Sequence, residues 1–478
     1  MKRVFDVVVI GAGPAGEIAG GRLAERGGKR VAIVESHLVG GECSFYACMP
    51  SKALLRPQEV LAEATRVPGA AEAVSVRVDA AAALRRRDRI VNDLDDANQL
   101  PWLEARNLEL VRGHGRLDGE RRVRVADDLL IAREAVVIAV GSGAATPRVP
   151  GLAEAGAWSN REITTTNEIP NSLIVLGGGV VGVEMAQAWR SLGSEVTVIE
   201  AMQRLLPREG PFAGAELEEA FEVHGIDVRT GVEAARVTRR DSSITVELEG
   251  GVRIAGERLL VAVGRKPLPT DLGLETIGLE PGSYLEVDER LRVRGLDWLY
   301  AVGDVNGRSL LTHSGKYQAR LAADHILGEE VRARGDGAGA PRVVFTDPGV
   351  AAVGHTLASA DAAGIAAEAI DLATGGTAGA SFHGRGARGT TRFVVDLERE
   401  LLIGATFVGP EVADLLQAAT VAVVGRVPLQ TLAHAIAPFP ARSELWLKFI
   451  EAYERRRDQH GLAGSLHTDL SGPVAVAA

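Results

Sequence analysis

Cys43 and Cys48 are the only cysteines in a chain of 478 residues, and only four residues separate them. Two thiols so close can form a disulfide, take up two electrons and pass them on by thiol–disulfide exchange. The spacing constrains the backbone. In a regular α-helix residues i and i+5 stand roughly 8–9 Å apart at Cα, whereas a disulfide wants roughly 5.5–6 Å. The stretch from Gly40 to Leu55, GGECSFYACMPSKALL, must therefore be a distorted turn or a helix start if the pair is to bridge. Gly40, Gly41 and Pro50 supply irregular backbone there. Two buried thiols acting as small apolar side chains are the plain alternative. The surrounding sequence favours redox work.

The elements that would position the pair begin at the N-terminus. Residues 5–10, FDVVVI, read as a buried parallel strand. They lead into Gly11-Ala12-Gly13-Pro14-Ala15-Gly16, a helical stretch to about Arg26, and a second strand, Arg30 to Val34, ending in Glu35. This is the order of a dinucleotide-binding unit. Gly11 makes the tight turn, Gly13 lets the backbone approach a pyrophosphate, and Gly16 lets helix and strand pack closely. The helix N-terminus attracts phosphate charge, and Glu35 can accept hydrogen bonds from ribose hydroxyls. The thiol stretch follows at once, and Pro50-Ser51-Lys52 opens a helix with Lys52 placed to lend positive charge to a thiolate or a reduced ring.

A second copy of the unit starts at Leu173, about 165 residues later, and argues for two dinucleotides. Its strand runs into Gly177-Gly178-Gly179-Val180-Val181-Gly182, then a helix, then the strand Glu195 to Ile199 ending in Glu200. A carboxylate at Glu200 accepts from a free 2′-hydroxyl and repels a 2′-phosphate, which favours NADH over NADPH. Arg204 lies four residues beyond and softens that preference.

The rest of the chain divides by composition. Residues 56–110 read as mainly helical, closing on a strand near Leu108 to Val111. Arg122 to Ile131 and Ala135 to Val140 read as two strands before the exit Pro147 to Gly151, a domain boundary. Leu259 to Val263 enters Gly264-Arg265-Lys266-Pro267, and Leu299 to Val302 ends in Gly303-Asp304 before a helix from about Ser314 to Leu327. The glycine-rich linker Arg332 to Pro341 marks another boundary. Beyond it the strand-like runs 343–345, 392–396 and 401–409 and the helical runs 411–425 and 443–457 indicate an α+β domain. The fold class is thus α/β, with two Rossmann-like dinucleotide-binding domains and a C-terminal α+β dimerisation domain. The expected division is 1–150 with 271–338, then 151–270, then 339–460, with 461–478 a poorly ordered tail.

Composition bounds the function. Apolar content of 46% and charged content of 24% suit a globular chain of several domains. A net charge of −10 gives no nucleic-acid footprint. The run Arg85, Arg86, Arg87, Arg89 reads as a solvated helix face. No stretch approaches the ~20 apolar residues of a membrane span, and so few cysteines point to a cytoplasmic protein. No metal site is expected.

These motifs resemble, in order and over nearly the whole chain, the FAD-dependent pyridine nucleotide–disulfide oxidoreductases, which include dihydrolipoamide dehydrogenase, glutathione reductase and mercuric reductase. The resemblance extends to Ala139-Val140-Gly141-Ser142 and to Phe345-Thr346-Asp347-Pro348. It implies an FAD site at Gly11, Gly13, Gly16, Glu35, Gly41, Gly141 and Ser142, with Asp304 on the ribityl chain. It implies an NAD(P)H site at Gly177, Gly179, Gly182, Glu200, Gly264 and Arg265, so the cofactors are FAD and NADH, with NADPH possible. Cys48 would be the thiol beside the flavin and Cys43 the thiol facing the acceptor. Lys52, which also borders the cofactor, and Glu184 would form an ion pair near the flavin's reactive edge. A homodimer is implied, each active site being completed by the partner's C-terminal domain.

One departure stands out. The family signature HxHPTxSE is occupied here by Ala437-Pro438-Phe439-Pro440-Ala441-Arg442-Ser443-Glu444. The frame survives, and Glu444 is counted with the catalytic set, but Phe439 stands where the acid–base histidine should be. Losing such a group typically costs ~10²–10⁴ in rate, and His434, five residues upstream, gives no assurance of replacing it. An ordinary dihydrolipoamide dehydrogenase is disfavoured because a dithiol substrate needs a base. Mercuric reductase is disfavoured because no C-terminal cysteine pair is present to deliver metal. The expectation is an NAD(P)H-dependent disulfide reductase acting on a small disulfide, with an NAD(P)H:quinone reductase as the alternative and a non-catalytic flavoprotein subunit last.

Overall fold

The computed structural model describes residues 1–74, 77–268 and 271–459. The expected tail, 461–478, lies outside the described residues. One compact unit comprises Met1–Glu59, Arg77–Leu206 and Phe221–Ala340. Its largest sheet has seven strands. Glu109–Arg112, Val31–Glu35, Lys2–Ile10 and Asp128–Ile138 lie side by side and parallel, and Leu299–Ala301 pairs parallel with the end of the last. Val7, Val8, Val9, Val136, Val137 and Ile138 are fully buried, as strands in a parallel sheet covered on both faces must be.

Two sequence readings change here. The two strands expected at 122–131 and 135–140 are instead one continuous strand, Asp128–Ile138, with Arg122–Val125 folded back antiparallel on its first half. Ala126, at φ 48, supplies the positive dihedral that a two-residue hairpin loop needs. The arginine run is not a uniformly solvated face either. Arg87 has no exposed surface and donates to Thr164 O, Thr166 O and Asn167 Oδ1, so a cation that composition alone assigns to solvent pins a later segment.

The helix Pro14–Gly27 begins with proline at its first position, where the missing N–H costs nothing, and ends on Gly28 at φ 58. It packs on the helix Thr312–Ile326, where Arg22 and Arg26 meet Asp324 at 2.6 and 2.7 Å. A second parallel sheet orders Ile226–Thr230, Glu195–Glu200, Ser172–Leu176 and Arg258–Val261, with the helix Val180–Leu192 against it. Arg265–Pro267 pairs with Ser142–Ala144, which brings the GRKP segment beside the strand after the first nucleotide sheet.

The other unit comprises Val60–Val76, Pro207–Ala220 and Pro341–Ala478. Its antiparallel sheet runs Arg342–Val344, Gly349–Gly354, Leu401–Gly409, Thr390–Asp396, Ala367–Ala373. Phe393 lies at its core, stacked on Phe449 at 4.2 Å and edge-on to Phe407 at 5.7 Å. The helices Val412–Gly425 and Leu445–Gln459 complete an α+β layer structure. Among the described residues no helix is long and apolar enough to cross a membrane.

Candidate active site

The backbone between the two cysteines breaks as their spacing requires. Gly40, at φ 107, starts the short helix Gly41–Phe45 that carries Cys43. Tyr46 leaves the helix at φ −132, ψ 0, and a new helix, Cys48–Arg66, starts at the second cysteine. This segment sits directly on the first glycine turn. Gly40 N donates to Ala12 O at 2.7 Å, and a Cβ on Gly41 would come within 2.9 Å of Gly13 Cα.

Both thiols are half-buried. Cys48 Sγ lies 3.3 Å from Thr312 Oγ1, the first residue of its helix. The hydrogen bond given by Cys43 draws the Cys48 thiol down to about 6 against the opposing effect of burial, with help from Thr312 and the charge of Lys52. Giving that bond, together with burial, pushes Cys43 up. The pair is thus polarised, with Cys48 the more acidic of the two thiols. The thiolate absorbance of the reduced protein should titrate near pH 6 and vanish as pH falls through that value, because protonation removes the charge that Cys43, Thr312 and Lys52 stabilise. A single midpoint close to that of an ordinary free thiol would overturn the assignment.

Lys52 stands one turn beyond Cys48 and donates from Nζ to Glu184 Oε2 at 2.6 Å. Glu184 is buried in the helix Val180–Leu192, which follows the second glycine turn. The ion pair thus ties the thiol helix to the second nucleotide unit.

The two glycine turns are built alike. A Cβ on Gly16 would lie 1.9 Å from Gly11 O, and one on Gly182 1.8 Å from Gly177 O, so both positions are closed by the protein's own backbone. Gly13 and Gly179 differ. Each has an ordinary extended backbone, and a Cβ would meet Gly41 Cα at 3.9 Å in the first and nothing within 4 Å in the second. Nothing in the chain itself forbids a side chain there, whereas a pyrophosphate lying on the helix N-terminus would. The acids match as well. Glu35 accepts from Ala12 N at 2.8 Å and His37 N at 2.7 Å, and Glu200 from Gly178 N at 2.5 Å and Met202 N at 2.7 Å. Each carboxylate is fixed at the end of its strand with lone pairs left for a ribose. These residues fit two dinucleotides.

A polar chain joins the thiol segment to the other strand ends. Asp304 Oδ2 accepts from Ser142 Oγ at 2.5 Å, and Ser142 Oγ accepts from Arg265 Nε at 2.7 Å. Arg265 Nη2 reaches Glu42 Oε2 at 3.0 Å, and Arg161 Nε holds Glu42 Oε1 at 2.7 Å. Burial raises Asp304, with Ser142 and Arg265 opposing it. Burial also works against the Glu42 carboxylate, but Arg161 and Arg265 hold it below the usual range. Gly141, at φ 76, and Gly264, at φ 132, turn the chain on either side of this network, and neither would bring a Cβ within 4 Å of another atom.

Glu42, Arg161 and Thr312 were not singled out from the sequence. Glu42 had a signal, since it immediately precedes Cys43. Thr312, 264 residues from Cys48, had none.

Glu444 belongs to the C-terminal unit, where its Oε1 accepts from Ala441 N at 3.0 Å and Gly379 N at 3.2 Å. These two bonds hold the Pro-x-x-Ser-Glu turn. Phe439 is 78% exposed and Ile436 96% exposed in the single chain, and His434 is exposed too.

Comparison with known proteins agrees with this geometry. Residues 5–322 match the family model described as pyridine nucleotide-disulphide oxidoreductase, and residues 340–449 match its dimerisation domain, which supports a homodimer. The dihydrolipoyl dehydrogenase of Thermus scotoductus is 32% identical over 461 residues, covering 95% of this chain and 98% of that protein. The mercuric reductase of Bacillus cereus is 30% identical over 447 residues, covering 92% and 70%. Among solved structures, the Cu(II) complex of the HOCl-induced flavoprotein disulfide reductase RclA from Escherichia coli superposes with a TM-score of 0.83 at 25% identity, covering 94% of this chain and 99% of that one. LpdA from Mycobacterium tuberculosis gives a TM-score of 0.81 at 28% identity, covering 95% and 99%. With two matched glycine turns, a paired-thiol segment between them and both family models accounting for most of its length, the chain belongs to the pyridine nucleotide–disulphide oxidoreductase family and is an FAD-dependent, NAD(P)H-using oxidoreductase.

Proposed function

We propose that the chain is an NADH-dependent disulfide reductase acting on a small disulfide. The observation that carries this reading is the polarised thiol pair, with the Cys48 thiol drawn down by Cys43, Thr312 and Lys52. FAD held at the first glycine turn would supply the route by which an electron pair from NADH reaches the Cys43–Cys48 disulfide and reduces it to the thiol pair. Cys43 then attacks the acceptor disulfide and one acceptor sulfur leaves. Cys48 attacks Cys43 in the mixed disulfide, the second sulfur leaves, and the Cys43–Cys48 bond re-forms. The acceptor gains two electrons and must find two protons.

Proton supply decides the acceptor. Phe439 cannot move a proton, so the favoured substrates are disulfides whose leaving sulfur is stable as an anion or thione, because low-pKa thiols leave faster. The same argument disfavours a dithiol substrate and so sets this chain apart from its dihydrolipoyl dehydrogenase relatives. Glu200, buried and fixed by one backbone N–H on each oxygen, keeps lone pairs that can accept from a free 2′-hydroxyl and would repel a 2′-phosphate, which supports NADH over NADPH.

A quinone reductase working directly from the flavin is the second reading, favoured by the same loss of a proton donor at Phe439. An assay panel of small disulfides and quinones with NADH and NADPH, run on the wild type and on Cys43→Ser/Cys48→Ser, separates the two. Disulfide turnover should vanish in the double variant. Should the wild type reduce quinones well and disulfides not at all, with the double variant unimpaired, the second reading replaces the first.

A further inference from the structure

Away from the thiols, the C-terminal unit gathers three potential metal ligands from separate segments. Glu63 lies near the end of the helix Cys48–Arg66, His383 ends the 3-10 turn Gly379–His383, and Glu411 precedes the helix Val412–Gly425. One ligand atom of each lies within 4.8 Å of the others, and His383 Nδ1 is 3.7 Å from Glu411 Oε2. Oxygen and nitrogen donors around one zinc ion at ~2.0–2.2 Å stand roughly 3.4 Å apart in a tetrahedral shell. Small side-chain rotations close the difference. We propose that Glu63, His383 and Glu411 bind one divalent transition-metal ion of the zinc class.

The charge balance of the cluster supports this. Two carboxylates face each other here, and the hydrogen bonds shown by the nearby arginines go to other acceptors. Arg66, three residues beyond Glu63 on the same helix, donates from Nη1 to both oxygens of Asp347, at 3.0 and 2.7 Å. Arg442 is close enough to feel the charge of Glu411, but its Nη1 is committed to Pro410 O. Among the described residues Glu63 has no hydrogen-bond or ion-pair partner, although it is half-buried. A divalent cation would relieve the repulsion and give Glu63 the partner it lacks. The donor set, two carboxylates and one imidazole, suits zinc and its first-row neighbours better than magnesium, which keeps waters and prefers all-oxygen shells. An ion there would clamp the end of the thiol-bearing helix to the His383 turn and to the start of the next helix.

The test is calorimetric titration of Zn(II) into the full-length, flavin-loaded protein with its cysteines oxidised, so that no thiol is available as a ligand. One saturable equivalent per chain is expected, with Mg(II) binding at least tenfold more weakly, and Zn(II) should raise the Tm. His383→Ala and the near-isosteric Glu63→Gln should each weaken Zn(II) binding at least tenfold and abolish the Tm rise. Glu63→Gln keeps the test valid should His383→Ala fold poorly. Zn(II) binding with wild-type affinity in Glu63→Gln, or no saturable equivalent in the wild type, would overturn the proposal.

Discussion

Cys43→Ser should lower turnover with a disulfide acceptor by at least about a thousandfold, because serine cannot attack sulfur or form the disulfide that stores the electron pair. Flavin content and Tm should match the wild type, since the side chain is only half-buried and serine is nearly isosteric. The remaining thiol carries the sharper expectation. Cys48 keeps Thr312 at 3.3 Å and Lys52 one turn along its own helix, and serine at position 43 can still donate a hydrogen bond. Cys48 should therefore remain a thiolate, and a thiol reagent at pH 7 should find one fast-reacting sulfur per chain. Cys43→Ala removes the donor and should move the Cys48 midpoint up towards that of an ordinary cysteine. Measuring both variants separates the electrostatics of the pair from its chemistry. If Cys43→Ser keeps a tenth or more of its disulfide turnover, the electrons do not leave through the thiols and the disulfide reading fails.

The second large effect is expected at the glycines of the second nucleotide turn. Gly182→Ala would force a Cβ to within 1.8 Å of Gly177 O, a backbone atom that cannot swing aside. Helix and strand must separate, and overpacking typically costs about 1–3 kcal/mol and occasionally more, a sizeable share of the ~5–15 kcal/mol that holds a domain together. A sharp fall in Tm should follow, by calorimetry or circular dichroism. Gly179→Ala should behave in the opposite way. Its φ of −77 suits alanine, and no atom of the chain lies within 4 Å of the added methyl. The Tm and flavin content should not change, whereas KM for NADH should rise at least tenfold, because the methyl stands where the pyrophosphate must approach the helix N-terminus. A KM within twofold of the wild type would mean that this turn does not hold the dinucleotide.

The contrast between these two variants shows what kind of information each level carries. Both glycines appear in the same GxGxxG pattern, and the pattern assigns them roles by analogy with a known turn. The fold separates them: Gly182 is required by the protein's own packing, while nothing in the chain itself requires a glycine at Gly179. Likewise, the requirement for irregular backbone between Cys43 and Cys48 was legible from spacing alone. The particular solution, a five-residue helix ending at Tyr46 and a fresh helix from Cys48, was not, because it depends on Gly40 and Gly41 docking against Ala12 and Gly13. The arginine run shows the reverse error. Composition placed Arg87 in solvent, but three acceptors from Thr164, Thr166 and Asn167 hold its guanidinium in the interior. They lie at and just after the end of the helix Asn160–Thr165, and no local pattern announces that pairing.

By itself the sequence determined the two dinucleotide units, the α+β C-terminal region, the paired thiols and the missing histidine at Phe439. All of these are local signals: a glycine spacing, a hydrophobic period, an acid at a strand's end, one residue in a short frame. The resemblance already pointed to Cys48 as the thiolate, and the tertiary structure supplied a physical reason for it: the hydrogen bond from Cys43, with Thr312 and Lys52 acting against burial. The tertiary structure alone joined Glu42 through Arg265 and Ser142 to Asp304, and it alone brought Glu63, His383 and Glu411 together. The physical reason is the same in each case. Hydrogen bonds, ion pairs and ligand sets act over a few ångströms between residues that the chain order keeps far apart, so only the folded backbone can say which of them meet.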